Sequence, residues 1–241
     1  MNEQKFFASR DDKITPQETA HAELARKLAG ECMVLLENDG VLPLQKKGNI
    51  ALYGNGVRKT IQGGTGSGSV NTRSATNVEQ GFEEAGFTVV TKEWLDANDK
   101  HYVEMQEAYQ KWLVEEGERT HVPPFIVGFN CPFAEPAPYE ITEEEVTACD
   151  AGVAVYVISR NSGEGADRKC KEGDFLLYDS ELESIKRLAA SDKKLVVVLN
   201  IGGVMQLTEL KAVDGVDAIV LMSQLGNLGG NALVDLLTGA V

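Results

Sequence analysis

Apolar residues along this chain fall into short continuous runs, separated by stretches in which they recur every three or four positions. Val153–Ile158, Leu195–Leu199 and Ala218–Met222 carry no interrupting charge, the pattern of strands buried on both faces of a parallel sheet. Ile50–Tyr53 and Phe87–Thr91 read as two further strands. Between them lie helical patterns: Val78 and Phe82 before a stop at Gly86, Asp179–Ala190 with Leu182, Ile185 and Leu188 in phase, and a last helix over Gly230–Thr238. Near the start, Thr15-Pro16-Gln17-Glu18 combines a capping-box pattern with proline at the first helical position. Leu24, Leu28, Cys32 and Leu35/Leu36 follow at helical spacing, which predicts one helix ended by Asn38-Asp39-Gly40. Alternating helices and buried strands predict an α/β fold, a three-layer α/β/α sandwich around a mostly parallel sheet. Residues 1–14 are polar and aperiodic, an expected flexible lead-in to a domain over 15–241.

One stretch breaks the alternation. Residues 117–140 hold five of the seven prolines together with Phe125, Phe129, Phe133 and Tyr139. Proline is excluded from central strands, so the expectation is a long ordered loop whose aromatics pack on a surface or stand at a pocket rim or domain interface.

Composition narrows the choice of partners. The 241 residues carry a formal charge of −14 with 43% hydrophobic residues, enough for a sizeable core. No Lys/Arg stripe is present to neutralise a phosphate backbone, so nucleic acid and anionic membrane surfaces are not expected partners. The apolar runs are far shorter than the ~20 residues that span a bilayer, and no leader pattern opens the sequence, so the expected location is cytoplasmic. Cys32, Cys131, Cys149 and Cys170 lie far apart without metal-ligand spacing, which predicts buried or free thiols and neither metal nor cofactor.

Two segments carry candidate chemistry. The strand Ile50–Tyr53 runs into Gly54-Asn55-Gly56 and then Gly63-Gly64-Thr65-Gly66-Ser67-Gly68-Ser69. Such glycine density lets a backbone approach a ligand or turn with positive φ. The dinucleotide fingerprint and the Walker pattern are both incomplete, which leaves a flexible loop, a nucleotide loop and a carbohydrate-facing loop as readings. The second segment follows the strand Val153–Ile158: Ser159-Arg160-Asn161-Ser162-Gly163-Glu164-Gly165-Ala166-Asp167-Arg168. In open parallel sheets the carboxyl edge is where ligands bind. A carboxylate between two glycines there is free to project as a proton donor. The competing reading is a solvated loop in which Glu164 or Asp167 pairs with Arg168 or Arg160. A general acid also needs a second catalytic group, and none with its own motif is evident.

These segments, in order, resemble a known family. Ala25-Arg26-Lys27-Leu28-Ala29, Val34-Leu35-Leu36-Glu37-Asn38-Asp39-Gly40-Val41-Leu42-Pro43-Leu44 and Ile50-Ala51-Leu52-Tyr53-Gly54 are similar to the opening of the α/β sandwich domain of glycoside hydrolase family 3. The segment around Glu164, the strand Val196-Val197-Val198-Leu199-Asn200-Ile201-Gly202 and Gly229-Gly230-Asn231-Ala232-Leu233-Val234-Asp235-Leu236-Leu237-Thr238-Gly239 continue the likeness. The resemblance implies a β-glucosidase-like, exo-acting, retaining enzyme working on a β-linked glucoside or short oligosaccharide. Its general acid/base falls on Glu164, and its nucleophile is an Asp of a (β/α)8 barrel domain in the same parent protein, within a Ser-Asp-Trp motif that neither Trp94 nor Trp112 completes here. It further implies sugar hydrogen bonds from Thr65 and Ser67, and a loop-shaping ion pair of Asp167 and Arg168. On this reading the chain is a piece that stops before the sandwich's last segment. It comes from a parent in which this domain precedes the barrel, or was cut out with an added Met. The isolated piece is expected to be inactive. The alternatives are a stand-alone carbohydrate-binding or scaffolding domain, and a nucleotide-binding domain.

Overall fold

The computed structural model describes residues 13–45, 47–68, 70–163 and 167–241, and of Ser67 the backbone only. Among the described residues a single sheet of six strands organises the domain: β1 (Val34–Asn38), β2 (Asn49–Tyr53), β3 (Thr88–Val89), β4 (Val153–Arg160), β5 (Lys194–Ile201) and β6 (Ala218–Leu221). Their order across the sheet is β1-β6-β5-β4-β2-β3, all parallel except the β1–β6 pair. The two central strands pair in register from Val153 with Lys194 to Arg160 with Ile201. From Ala154 to Ile158 every side chain is fully buried, which requires cover on both faces and confirms the α/β/α sandwich read from the sequence.

That cover comes from α1 (Pro16–Glu31), α2 (Val78–Glu84) and α8 (Gly229–Thr238), which pack together, and from α5 (Glu143–Ala148), α6 (Asp179–Ala189) and α7 (Thr208–Lys211), which form a second group. Thr15, Asn77 and Thr142 each close a capping box at their helix starts, satisfying N–H groups that the first turn leaves orphaned. Ile185 and Leu188 of α6 reach the core as their phasing predicted.

Three local expectations are corrected. The first helix stops at Glu31, and Val34–Asn38 is a strand antiparallel to β6. The open edge of the sheet offers Val34, Leu35 and Asn38 ladder partners that a further helical turn does not, so tertiary pairing overrides the local 3.6-residue spacing. The expected stripe is not the buried face either. Leu24 and Leu28 are exposed, whereas Ala29 and Gly30 are buried, Gly30 being close enough to Val241 that a Cβ would touch its side chain. The expected strand Phe87–Thr91 shrinks to Thr88–Val89, because the buried Thr91 hydroxyl accepts from Leu52 N–H at 2.9 Å and donates to Leu52 O at 2.8 Å in place of a ladder rung.

The third correction concerns residues 92–141. A helix of 29 residues, α3 (Lys92–Thr120), is followed by α4 (Pro124–Asn130), so only 131–141 is the extended segment expected for the whole proline-rich stretch. Pro123-Pro124 opens a helix rather than excluding one, since proline is tolerated at the first helical position. The two helices form a hairpin in which Tyr109 OH donates to Cys131 O at 2.6 Å and Gly128 lies against Leu113. Phe125 and Phe129 remain 73% and 86% exposed, so the aromatics do not all pack on a surface. All four cysteines are free, three of them exposed and Cys149 half-buried.

Candidate functional site

The exits of β2, β4, β5 and β6 meet at the carboxyl edge of the sheet. The chain leaves β2 through Gly54 at φ +92, where a Cβ would overlap the Val157 carbonyl of β4, and Gly56 N–H donates to that same carbonyl at 3.1 Å. This close approach is what glycine permits and other residues do not. Asn200 at the end of β5 is fully buried and holds three partners: its Oδ1 accepts from Ile61 N–H at 2.6 Å, and its Nδ2 donates to Ile61 O at 3.0 Å and Ser223 O at 2.7 Å. One amide thereby fixes the root of the glycine-rich loop and the exit of β6 to the central strand. Gln224 Nε2 adds a longer 3.4 Å bond to Asn161 Oδ1.

The glycine-rich loop then crosses to the segment after β4. Thr65 N–H donates to Ser162 O at 3.0 Å, Gly64 sits against the same carbonyl, and a Cβ on Gly163 would stand 2.5 Å from Thr65 Oγ1. Thr65 is therefore brought beside Ser162-Gly163, as a shared edge requires. Glu164 and the side chain of Ser67 lie outside the described residues.

On the far side of that segment, Asp167 is exposed and Arg168 is engaged by Asp174 at 3.1 Å. The pairing expected between Asp167 and Arg168 is thus taken by a carboxylate six positions downstream of the arginine, which a turn over 169–176 returns to it. Desolvation acts against the Asp174 charge, but the N–H of Lys169 at 2.9 Å and the Arg168 guanidinium outweigh it and hold the carboxyl below its ordinary range. Arg160, the last residue of β4, is buried and pairs through both terminal nitrogens with buried Glu181 of α6, one bond measuring 3.0 Å. Burial penalises the guanidinium charge, yet the Glu181 carboxylate more than offsets this and raises the Arg160 pKa. The Tyr178 ring lies under this guanidinium at 5.3 Å, and its hydroxyl donates to Glu135 O at 2.6 Å.

Residue 135 belongs to the extended segment after α4, which passes over the strand exits: Asn55 Nδ2 after β2 donates to Pro136 O at 3.1 Å, and Asn98 Nδ2 donates to Asn55 Oδ1 at 2.8 Å. The Glu135 carboxyl is half-buried, and desolvation raises its pKa against the pull of Arg160 and Lys59. Glu135, Asp174, Glu181 and the clamping role of Asn200 escape a reading of the sequence, because none of them acts on an adjacent residue in the chain. The only local trace is Glu181, three places after the Tyr178 that precedes α6, where a capping carboxylate belongs. Among the described residues no cluster of His, Cys, Asp and Glu is set to hold a metal ion. No described helix is long and apolar enough to cross a membrane.

An open α/β sheet brings the glycine-rich loop and the segment after β4 to one carboxyl edge, the place where ligands bind in this class of fold. Residues 33–241 match the description "Glycosyl hydrolase family 3 C-terminal domain", and the chain belongs to that family. It is 31% identical over 245 residues to beta-glucosidase A of Butyrivibrio fibrisolvens, covering 92% of this chain and 27% of that protein. A beta-glucosidase of Ruminococcus albus is 28% identical over 227 residues, with 92% of this chain and 22% of that protein covered. The solved structure of beta-glucosidase 3B from Thermotoga neapolitana in complex with glucose superposes with a TM-score of 0.76 at 33% identity, over 94% of this chain and 30% of that one. The chain thus spans less than a third of these relatives.

Proposed function

We propose that this chain is the α/β sandwich domain of a retaining, exo-acting β-glucosidase-like hydrolase, and that Glu164 is its general acid/base. The nucleophile, an Asp, belongs to a (β/α)8 barrel of the same parent protein. In the first step the Glu164 carboxyl protonates the departing glycosidic oxygen while the Asp attacks the anomeric carbon, giving a covalent glycosyl-enzyme. In the second, Glu164 takes a proton from water, whose oxygen displaces the Asp and regenerates the acid with net retention. Thr65 and Ser67 hydrogen-bond sugar hydroxyls from the glycine-rich loop.

The observation that carries this reading is the 3.0 Å bond from Thr65 N–H to Ser162 O, two residues before Glu164, at the edge where open sheets bind ligands. Family membership and the names of the relatives support the substrate class, and the barrel accords with relatives more than three times as long. Alone, the chain has no means of holding the anomeric carbon against a nucleophile, so it should not turn over. In the intact parent, Glu164→Gln is expected to slow glycosylation of a poor-leaving-group glucoside about a hundredfold or more, and of a dinitrophenyl glucoside far less. Single-turnover kinetics on the two substrates measure this, and equal slowing of both contradicts the assignment.

A further inference from the structure

The loops that leave β4, β5 and β6 converge on Gly202, the first residue after β5. A Cβ on Gly202 would lie 2.3 Å from Ser162 Oγ and 2.5 Å from Gln224 Nε2, so a hydroxyl after β4 and an amide after β6 share the space above one glycine. Asn161 joins them, its Oδ1 accepting from Gln224 Nε2 across 3.4 Å. The turn that delivers Gln224 is strained. Ser223 has φ +60, a left-handed backbone that side chains resist, and Asn200 Nδ2 holds its carbonyl at 2.7 Å. Among the described residues other than glycine, only His121, at the end of α3, shares that conformation. Strain of this kind persists where surrounding bonds enforce it, and it gathers at ligand sites.

Little of the hydrogen-bonding capacity collected here is used. Asn161, Ser162 and Gln224 are all half-buried. The 3.4 Å contact, longer than an ordinary N–H···O bond, is the only side-chain bond they make among the described residues. The Gln224 carbonyl, both amide hydrogens of Asn161 and the Ser162 hydroxyl are left for a ligand, whereas polar groups drawn out of water normally have partners. The set is uncharged, because the Arg168 guanidinium over Gly203 is neutralised by Asp174 at 3.1 Å. Neutral donors and acceptors side by side match sugar hydroxyls, each of which does both. The glucosyl unit released by a glycosidase gains positive charge in the transition state and is served by carboxylates. A neutral cradle suits instead the ring that stays uncharged, the leaving sugar. Thr65 N–H, reaching Ser162 O at 3.0 Å, joins the cradle to the glycine-rich loop.

We propose that Gln224 and Asn161, with Ser162, are specificity-determining residues that bind the hydroxyls of the leaving sugar of a β-linked disaccharide. This rests on the reading of the chain as part of a β-glucosidase-like hydrolase, and on no particular proton donor. The test is made in the full-length parent enzyme, with cellobiose and with a nitrophenyl glucoside that has no second ring. Gln224→Ala is expected to cut kcat/KM for cellobiose about fivefold, and Asn161→Ala combined with Gln224→Ala about twentyfold, as loss of one and then several neutral hydrogen bonds implies. The nitrophenyl glucoside should lose less than about twofold, since a group that binds only the missing ring contributes nothing to its cleavage. Equal losses on the two substrates, or an unchanged cellobiose reaction, overturn the proposal. Should Gln224→Ala fail to fold, Asn161→Ala alone, on a different loop, carries the same selective loss, and its absence overturns the proposal as well. A wild-type parent that cleaves neither substrate overturns the hydrolase reading and this proposal with it. A parent that cleaves both, with variants that do not discriminate, overturns only the role of Gln224 and Asn161.

Discussion

The centre of the sheet and its β1 edge are built from the same residue types and end in opposite states. In β4, Ala154 to Ile158 are fully buried, whereas Val34, Leu35 and Leu36 of β1 are 48%, 48% and 43% exposed. The difference lies in neighbours. Residues of β4 have a strand on each side and a helical layer above and below, whereas among the described residues β1 has one strand beside it and its first three side chains are left partly exposed. The α3–α4 hairpin repeats the contrast, with Leu113 and Val127 buried between its helices but Phe125 and Phe129 turned outward. Apolar sequence is therefore a demand for cover, and position in the fold decides whether this chain meets it.

The polar groups at the strand exits follow the same rule. In the centre they are fixed by several bonds at once, as Asn200 is, and at the periphery they face water. If that contrast is right, substitutions at the exits should cost far more than larger changes at the edges. Gly54→Ala should be the most damaging, by about 3 kcal/mol, since it adds a left-handed backbone penalty to an overlap with the Val157 carbonyl. Asn200→Ala should follow at about 2 kcal/mol, because it strands the buried Ile61 N–H and two carbonyls. Both are measured by urea denaturation, and a loss below ~0.5 kcal/mol at either site would erase the distinction.

A smaller effect concerns charge. Glu135 has its pKa raised by desolvation, so its contribution is favourable when protonated, below the unfolded carboxylate pKa, and is lost as pH rises through the folded value. Glu135→Gln should accordingly raise the melting temperature at pH 7 more than at pH 4, and a rise of equal size at both would refute the desolvation account. The smallest change is expected at the periphery, where Leu36→Ser or Phe129→Ser should alter stability by no more than about 0.5 kcal/mol while improving solubility.

Legibility in the sequence tracked how local each cause was. Uninterrupted runs such as Leu195–Leu199 and the capping box at Thr15 are set by neighbours in the chain, and they appeared where the pattern put them. The end of α1 at Glu31 was not legible, because the choice between helix and strand for Val34–Asn38 was made by β6 nearly two hundred residues away. Neither was α3, whose polar sequence has no clear apolar stripe and whose helical state shows only in the structure. The partner of Arg168 was read as its neighbour Asp167, since adjacency is all that a linear reading offers. A turn over 169–176 supplied Asp174 instead.

By itself the sequence determined the class of fold, the family, and the two glycine-bearing segments in which chemistry was to be sought. These depend on the order of buried runs and on residues permitted to turn, properties written one position at a time. The tertiary structure alone decided that Thr65 meets Ser162, that Asn200 clamps two loops, and that Arg160 and Arg168 pair with Glu181 and Asp174 rather than with an adjacent carboxylate. Most of those are contacts between segments far apart in the chain, and the packing of layers and turns sets which of the many possible partners lies within hydrogen-bond reach.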